Sequence, residues 1–158
     1  MQEDETHLLK LIQGLKQTKD AETLSQPFAD FKGTLEWPTV GRIVKAPGLA
    51  SKQGGALWSG VLIEGGGPSD VNAVADGRIV FADWFRNLGR LVIVDHGEDY
   101  MSLYSNVDKL LVHSGIEVVR GDTIARTGKG DGESASGLYF DLRSAGRPLD
   151  PRNWCIKR

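Results

Sequence analysis

Between Gly137 and Arg143 the chain alternates at period two. Leu138, Phe140 and Leu142 take one side, and Tyr139, Asp141 and Arg143 the other. This is the pattern of a β-strand with one face in a core and one face free to bind. Similar runs occur at Arg42–Val44, Leu57–Ile63, Val71–Ala75, Arg78–Ala82, Arg90–Asp95, Tyr100–Asn106 and Val118–Ala125. Asp76-Gly77 lies between two alternating runs and predicts a tight β-hairpin. A second turn is expected over Asp83–Gly89, another over Glu64–Asp70, and loops over 47–55 and 129–136. Strands and turns spaced by about 8–12 residues predict a mainly β domain of packed antiparallel sheets. Trp37 is expected to anchor its core and Trp154 to close it.

One stretch follows a different period. From Glu3 to Leu24 the apolar residues Leu8, Leu11, Ile12 and Leu15 recur at steps of three and four. Lys10, Lys16, Lys19, Asp20 and Glu22 fill the other faces, so the spacing predicts an amphipathic helix. Gly14 weakens it by about 1 kcal/mol relative to alanine. The helix reads as the end of a coiled coil, as a regulatory arm, or as an element packed on its own domain. Ser25-Gln26-Pro27 stops it, because proline lacks a donor and restrains its predecessor. The expected organisation is residues 1–26 as the helix and 27–158 as the β domain.

Composition narrows the function classes. A formal net charge of −2 over 158 residues gives no electrostatic reason to expect nucleic acid or an anionic membrane as partner. No apolar run approaches the roughly 20 residues of a membrane-spanning helix. The acidic start, Met1–Asp4, lacks a signal peptide, so an exported protein would be represented here without its targeting segment. A single cysteine, Cys155, excludes an intramolecular disulfide and a cysteine-based zinc cluster. Three consecutive glycines at Gly65–Gly67 lack the following Lys-Ser/Thr of a phosphate loop and read as a turn.

Five segments, in order, carry a resemblance to a known family. They are Ala73–Val80, Leu91–Gly97, Ser102–Tyr104, Val119–Ala125 and Leu138–Arg143, within a span from about Trp37 to Trp154. Together they resemble the LytM, or M23 peptidase, domain. Active members are zinc endopeptidases that cut peptidoglycan cross-bridges. Their metal is held by a His-x-x-x-Asp pair and the second histidine of His-x-His; further histidines assist catalysis.

Carried onto this chain, the His and Asp of the first motif fall on Trp58 and Leu62. The histidine two residues after the family tyrosine, here Tyr104, falls on Asn106. The His-x-His pair falls on Gly137 and Tyr139. Catalytic zinc needs about three protein ligands. Indole, isobutyl and glycine offer no lone pair to it, and a neutral phenol is a poor substitute for imidazole. The resemblance therefore implies a degenerate domain with no catalytic residue, no metal ligand and no cofactor. The remaining histidines, His7, His96 and His113, are scattered over the predicted helix, a strand end and a connection.

Degenerate LytM domains of this kind resemble the EnvC-like murein hydrolase activators. Leu35-Glu36-Trp37-Pro38, Ala82-Asp83-Trp84, Met101–Tyr104 and the Pro151-x-x-Trp154 ending fit that subgroup. The resemblance implies a periplasmic, non-enzymatic activator of zinc-dependent N-acetylmuramoyl-L-alanine amidases, acting in septal peptidoglycan splitting and cell separation. It further implies a coiled coil before the domain and a division-site membrane complex reached through that preceding region. The vacated groove is expected to bind the amidase through Leu62, Tyr104, Asn106, Tyr139 and Arg143, with Trp58 as its wall. Aromatic and arginine side chains are the types that dominate protein–protein hot spots. Two other classes stay open: a zinc endopeptidase with relocated ligands, and a peptidoglycan-binding module that stacks sugars on Trp58 and Tyr139. A biotinyl-type carrier fails, because no lysine stands at a matching hairpin tip.

Overall fold

The alternating runs form strands, and the strands sort into two sheets. The computed structural model describes residues 28–45, 61–64, 69–85, 89–128, 137–145 and 147–156. The expected N-terminal helix, Trp58 and the loops at 47–55 and 129–136 lie outside them.

The large sheet has eight strands. Its path runs β1 (Arg42–Lys45), β2 (Val61–Glu64), β10 (Gly137–Ser144), β6 (Tyr100–Val107), β5 (Gly89–Gly97), β4 (Gly77–Phe85) and β8 (Glu117–Val118), with β11 (Arg147–Leu149) beside β10. Every pairing in it is antiparallel. A second sheet of three strands orders β3 (Asp70–Asn72), β9 (Thr123–Arg126) and β7 (Lys109–Leu110). The mainly β, antiparallel expectation holds.

The main core lies on the sheet face that carries Val61, Ile63, Leu138, Phe140, Leu142, Val92, Val94 and Tyr104. Val71, Ile124 and Ala125 of the three-stranded sheet belong to the same buried cluster. The first and last described segments clasp beside it. Leu35 and Cys155 form a parallel bridge. The Gly33 and Leu35 amides both donate to the Trp154 carbonyl, and the Ile156 amide donates to the Leu35 carbonyl. Phe28, in a 3₁₀ turn over Phe28–Phe31, stacks on Trp154 with ring centroids 5.2 Å apart. Trp154, on the short helical turn α1 (Pro151–Trp154), does close the core as expected. Trp37 is half-buried, meets Phe140 edge-on, and its Nε1 donates to the Ile156 carbonyl at 2.8 Å.

Two expectations need correction. Asp76-Gly77 is not a hairpin: β3 pairs with β9 in the small sheet, whereas β4 pairs with β5 in the large one. Ala73, Val74 and Ala75 are all buried, so the alternation read there is interrupted by a run that crosses between layers. Gly77 does not adopt the positive φ of a tight hairpin turn. It is glycine for space: a Cβ would sit 2.6 Å from the Asp95 carbonyl oxygen and 2.7 Å from Val94 Cγ1. The turn expected at Asp83–Gly89 also starts late, since β4 continues through Phe85, whose ring meets Phe81 edge-on at 6.1 Å.

Gly77→Ala should therefore destabilise the domain by about 1–3 kcal/mol through overpacking against backbone, measured by urea unfolding. A loss below the roughly 0.5 kcal/mol typical of a neutral surface change would show that the crossing has slack.

Candidate functional site

The second face of the large sheet carries Leu62, Tyr139 and Arg143 from the set that the resemblance singles out. Register places them. Tyr139 on β10 is the direct cross-strand partner of Leu62 on β2 and, on its other side, of Ser105 on β6. Ser105 in turn opposes Leu91 on β5. Thus Leu62, Tyr139, Ser105 and Leu91 form one row across four strands. A second row holds Asp141, Leu103 and Ile93, and a third Arg143, Met101 and Asp95. Directly opposed side chains in antiparallel strands have Cβ atoms about 4.5–5.5 Å apart, so each row is a set of touching neighbours.

These rows make a surface with a dry floor and a more open end. Leu91, Ile93, Met101 and Leu103 are buried, with Val80, Phe81, Phe85 and Tyr139 packed against them. Leu62 and Tyr139 are half-buried. Asn106 is exposed and adopts a positive φ of 63°. It sits where the β5–β6 register slips, with Arg90 opposite Val107 and Leu91 opposite Ser105. That irregularity carries Asn106 off the alternation and out to the rim of the row.

Asp141, Arg143 and Asp95 on this face are buried, and the first two engage each other. Arg143 is 1% exposed and its Nε and Nη2 both donate to Asp141 Oδ2, at 3.1 and 2.9 Å. Burial pushes the Asp95 carboxyl above its ordinary value, and the nearby Asp99 charge adds to this. The Gly97 amide donating to Asp95 Oδ1 at 2.9 Å and the Arg78 charge act in the opposite sense. Buried charges of this kind persist only when paired and hydrogen-bonded.

Placement of the expected residues is therefore uneven. Leu62 and Tyr139 come together on one face, and Asn106 is exposed one residue beyond Ser105. Arg143 shares the face but presents almost no surface; it braces the floor through Asp141. Tyr104 is a correction: it opposes Phe140 and Val92 across its neighbouring strands and lies in the main core, fully buried. Its hydroxyl accepts from the Val74 amide at 3.1 Å, inside the domain and away from any partner. Ser105, Leu91 and Leu103 were not singled out from the sequence. Strict period-two reading of Leu103-Tyr104-Ser105 was the available signal, since it sets Tyr104 opposite in sense to both its neighbours.

The two ligand positions that the structure describes are adjacent but chemically unsuited to metal. Cross-strand contact of positions 62 and 139 is the geometry that an aspartate and a histidine need to share one ion. Here the pair is an isobutyl group and a neutral phenol, which do not fit zinc. Among the described residues no group of three or more His, Cys, Asp or Glu side chains is gathered to hold an ion. His113 is exposed, and His96 is enclosed on the other face of the sheet.

The comparisons with known proteins agree with this architecture. The chain is 36% identical over 123 residues to "Murein hydrolase activator EnvC" of Escherichia coli (strain K12), covering 78% of this chain and 29% of that protein. It is 35% identical over 126 residues to "Murein hydrolase activator NlpD" of the same strain, covering 79% of this chain and 32% of that protein. The chain thus spans about three tenths of the length of these curated relatives. A solved structure of a putative M23 peptidase from Pseudomonas aeruginosa superposes with a TM-score of 0.70 at 20% identity, covering 95% of this chain and 59% of that one. This last likeness shows the fold alone. The model of peptidase family M23 matches residues 56–151, more than half of the chain. The chain belongs to peptidase family M23, as a LytM-type domain in which the described ligand positions no longer carry metal-binding side chains.

Proposed function

We propose that this domain is a non-catalytic activator of periplasmic zinc-dependent N-acetylmuramoyl-L-alanine amidases, acting in septal peptidoglycan splitting. The observation that carries the reading is the Leu62–Tyr139 pair. The position pair that would grip an ion in an active relative is here an apolar and aromatic contact surface, half-open to solvent. Two relatives named as murein hydrolase activators support the same role.

In this reading an amidase element docks on the row Leu62–Tyr139–Ser105, with Asn106 at its rim and Trp58 as its wall. Asp141 and Arg143 hold the floor beneath. The amidase is held inactive by its own occluding helix, and docking draws that helix away from its zinc site. The domain shifts that equilibrium only by as much as it binds the open partner better than the closed one. The hydrolytic zinc belongs to the partner.

Dye release from labelled cell walls tests the reading. The domain mixed with a candidate amidase should release dye, and the domain alone should not. Release by the domain alone would point to an endopeptidase, and retention on insoluble murein without any effect on an amidase would point to a wall-binding module.

Three variants and one analysis sharpen it. Tyr139→Ala and Leu62→Glu should each reduce amidase activation at least tenfold under conditions where urea unfolding shows the variant still folded. Arg143→Leu should instead lower stability by about 3–5 kcal/mol, because it takes the guanidinium away from the buried Asp141 carboxylate. Equal stability in that variant would show that Arg143 acts by contact. Metal analysis of the purified chain should find less than about 0.1 zinc per chain, whereas a structural or catalytic site would retain close to one.

A further inference from the structure

The main core contains one ionisable relay that the cleft does not use. His96 is fully buried on the face opposite Tyr139. Its Nδ1 lies 2.7 Å from the Asp76 carbonyl oxygen and its Nε2 2.7 Å from Ser102 Oγ. Ser102 Oγ is 2.7 Å from the Tyr104 hydroxyl, which accepts from the Val74 amide at 3.1 Å. The carbonyl end of this chain fixes its direction. A carbonyl can only accept, so Nδ1 carries the proton and Nε2 accepts from Ser102; with its single proton spent there, Ser102 must accept from the Tyr104 hydroxyl.

Counting protons shows that the relay is full. Four links join five groups, and neutral His96, Ser102, Tyr104 and the Val74 amide supply one proton for each. A protonated His96 adds a fifth. Nε2 then donates to Ser102, Ser102 turns toward Tyr104, and the Tyr104 hydroxyl proton has no acceptor left within the relay. A buried donor left with the nearby Cys155 thiol, a weak acceptor, added to a buried charge, is a costly arrangement. The cover over the imidazole is the Phe28 ring, stacked at 4.6 Å and 19°. Phe28 also contacts Tyr100 at the start of β6 and Trp154 of the clasp.

We propose that this relay is an acid-operated latch, in which protonation of His96 lifts Phe28 and the lead-in segment 28–39 off the sheet while the strands stay paired. Water admitted under Phe28 accepts the surplus proton and solvates the imidazolium. Phe28 is the point where the chain from residues 1–27 joins the domain, so the latch makes that junction depend on pH.

The surrounding charges are few. The Asp76 carboxylate accepts from the Arg120 amide at 2.8 Å. Arg120 reaches the Thr34 carbonyl at 2.9 Å and lies over Phe31, and Lys32 lies over Trp154. Asp30 on the lead-in turn and Arg152 on α1 are exposed. Asp95 points to the other face, and Cys155 is a buried thiol. Asp76 alone favours the imidazolium at close range. Its carbonyl and charge do not offset burial, which pushes His96 down from 6.5 to about 4. The closed state therefore binds fewer protons than an open one between those values. The latch's contribution is complete above pH 6.5 and is lost as pH falls toward 4. Between pH 7 and 4.5 the opening constant should rise about fiftyfold.

Hydrogen exchange on the 158-residue chain at pH 7 and pH 4.5, corrected for intrinsic rates, tests this. Exchange in 28–39 should accelerate at least tenfold at the lower pH, while residues 91–105 and 138–143 keep their protection. His96→Gln should abolish the pH difference. Ser102→Ala, which removes the donor to Nε2, should move the transition up by at least one pH unit and serves if the first variant does not fold. Unchanged protection in 28–39, an equal response in His96→Gln, an unmoved transition in Ser102→Ala, or concerted loss across the strands would each overturn the proposal.

Discussion

The register between β2 and β10 is the constraint from which the site follows. It sets residue 62 opposite residue 139, and the β10–β6 register then sets Ser105 on the far side of Tyr139. A slip of one residue would turn Leu62 and Tyr139 into the core and bring Ile63 and Leu138 to the surface. The main core holds the register in place. Ile63, Leu138, Phe140 and Leu142 are all fully buried, and each would have to leave apolar surroundings for the slip to occur. At roughly 1.5–3 kcal/mol for each large apolar side chain, the alternative is far outside thermal reach. The fold thus fixes Leu62 and Tyr139 side by side on the face opposite the main core.

Charge is handled differently on the two faces. On the cleft side, Asp141 and Arg143 neutralise each other under the floor. On the core side, polarity is confined to a hydrogen-bonded line from Asp76 through His96, Ser102 and Tyr104 to Val74. Tyr104 illustrates the division. Its hydroxyl terminates the line, and burial holds its ionisation well above the ordinary phenol range, so it works as a neutral donor and acceptor. A partner docking on Tyr139 would meet a stiff surface, because the strand beneath it is fixed from both sides.

Much of this was legible in the sequence, and the misses share a cause. Alternation in Leu138–Arg143 correctly separated the two faces of β10, but it read Asp141 and Arg143 as open to binding, and both are buried. The substituted ligand positions were legible because chemistry at one position needs no partner to be judged. What alternation cannot supply is which strands pair. Asp76-Gly77 has hairpin composition, yet Ala73, Val74 and Ala75 are all buried because the chain changes sheets there. The resemblance set Tyr104 and Asn106 together in the groove, whereas an irregularity in β5–β6 pairing separates their environments. The proton-saturated relay was invisible for the same reason: its members come from the crossing, β5 and β6, and only the fold brings them within 3.1 Å.

The central claim is that the surface over positions 62 and 139 receives a protein instead of a metal ion. Its most direct test is a hydrogen-exchange footprint of this chain with and without a candidate zinc-dependent amidase. The account predicts added protection in 61–64 and 137–143, centred on Leu62 and Tyr139, with the three-stranded sheet on the opposite side unchanged. Protection confined to that smaller sheet, or binding that leaves β2 and β10 unprotected while activation proceeds, would contradict it.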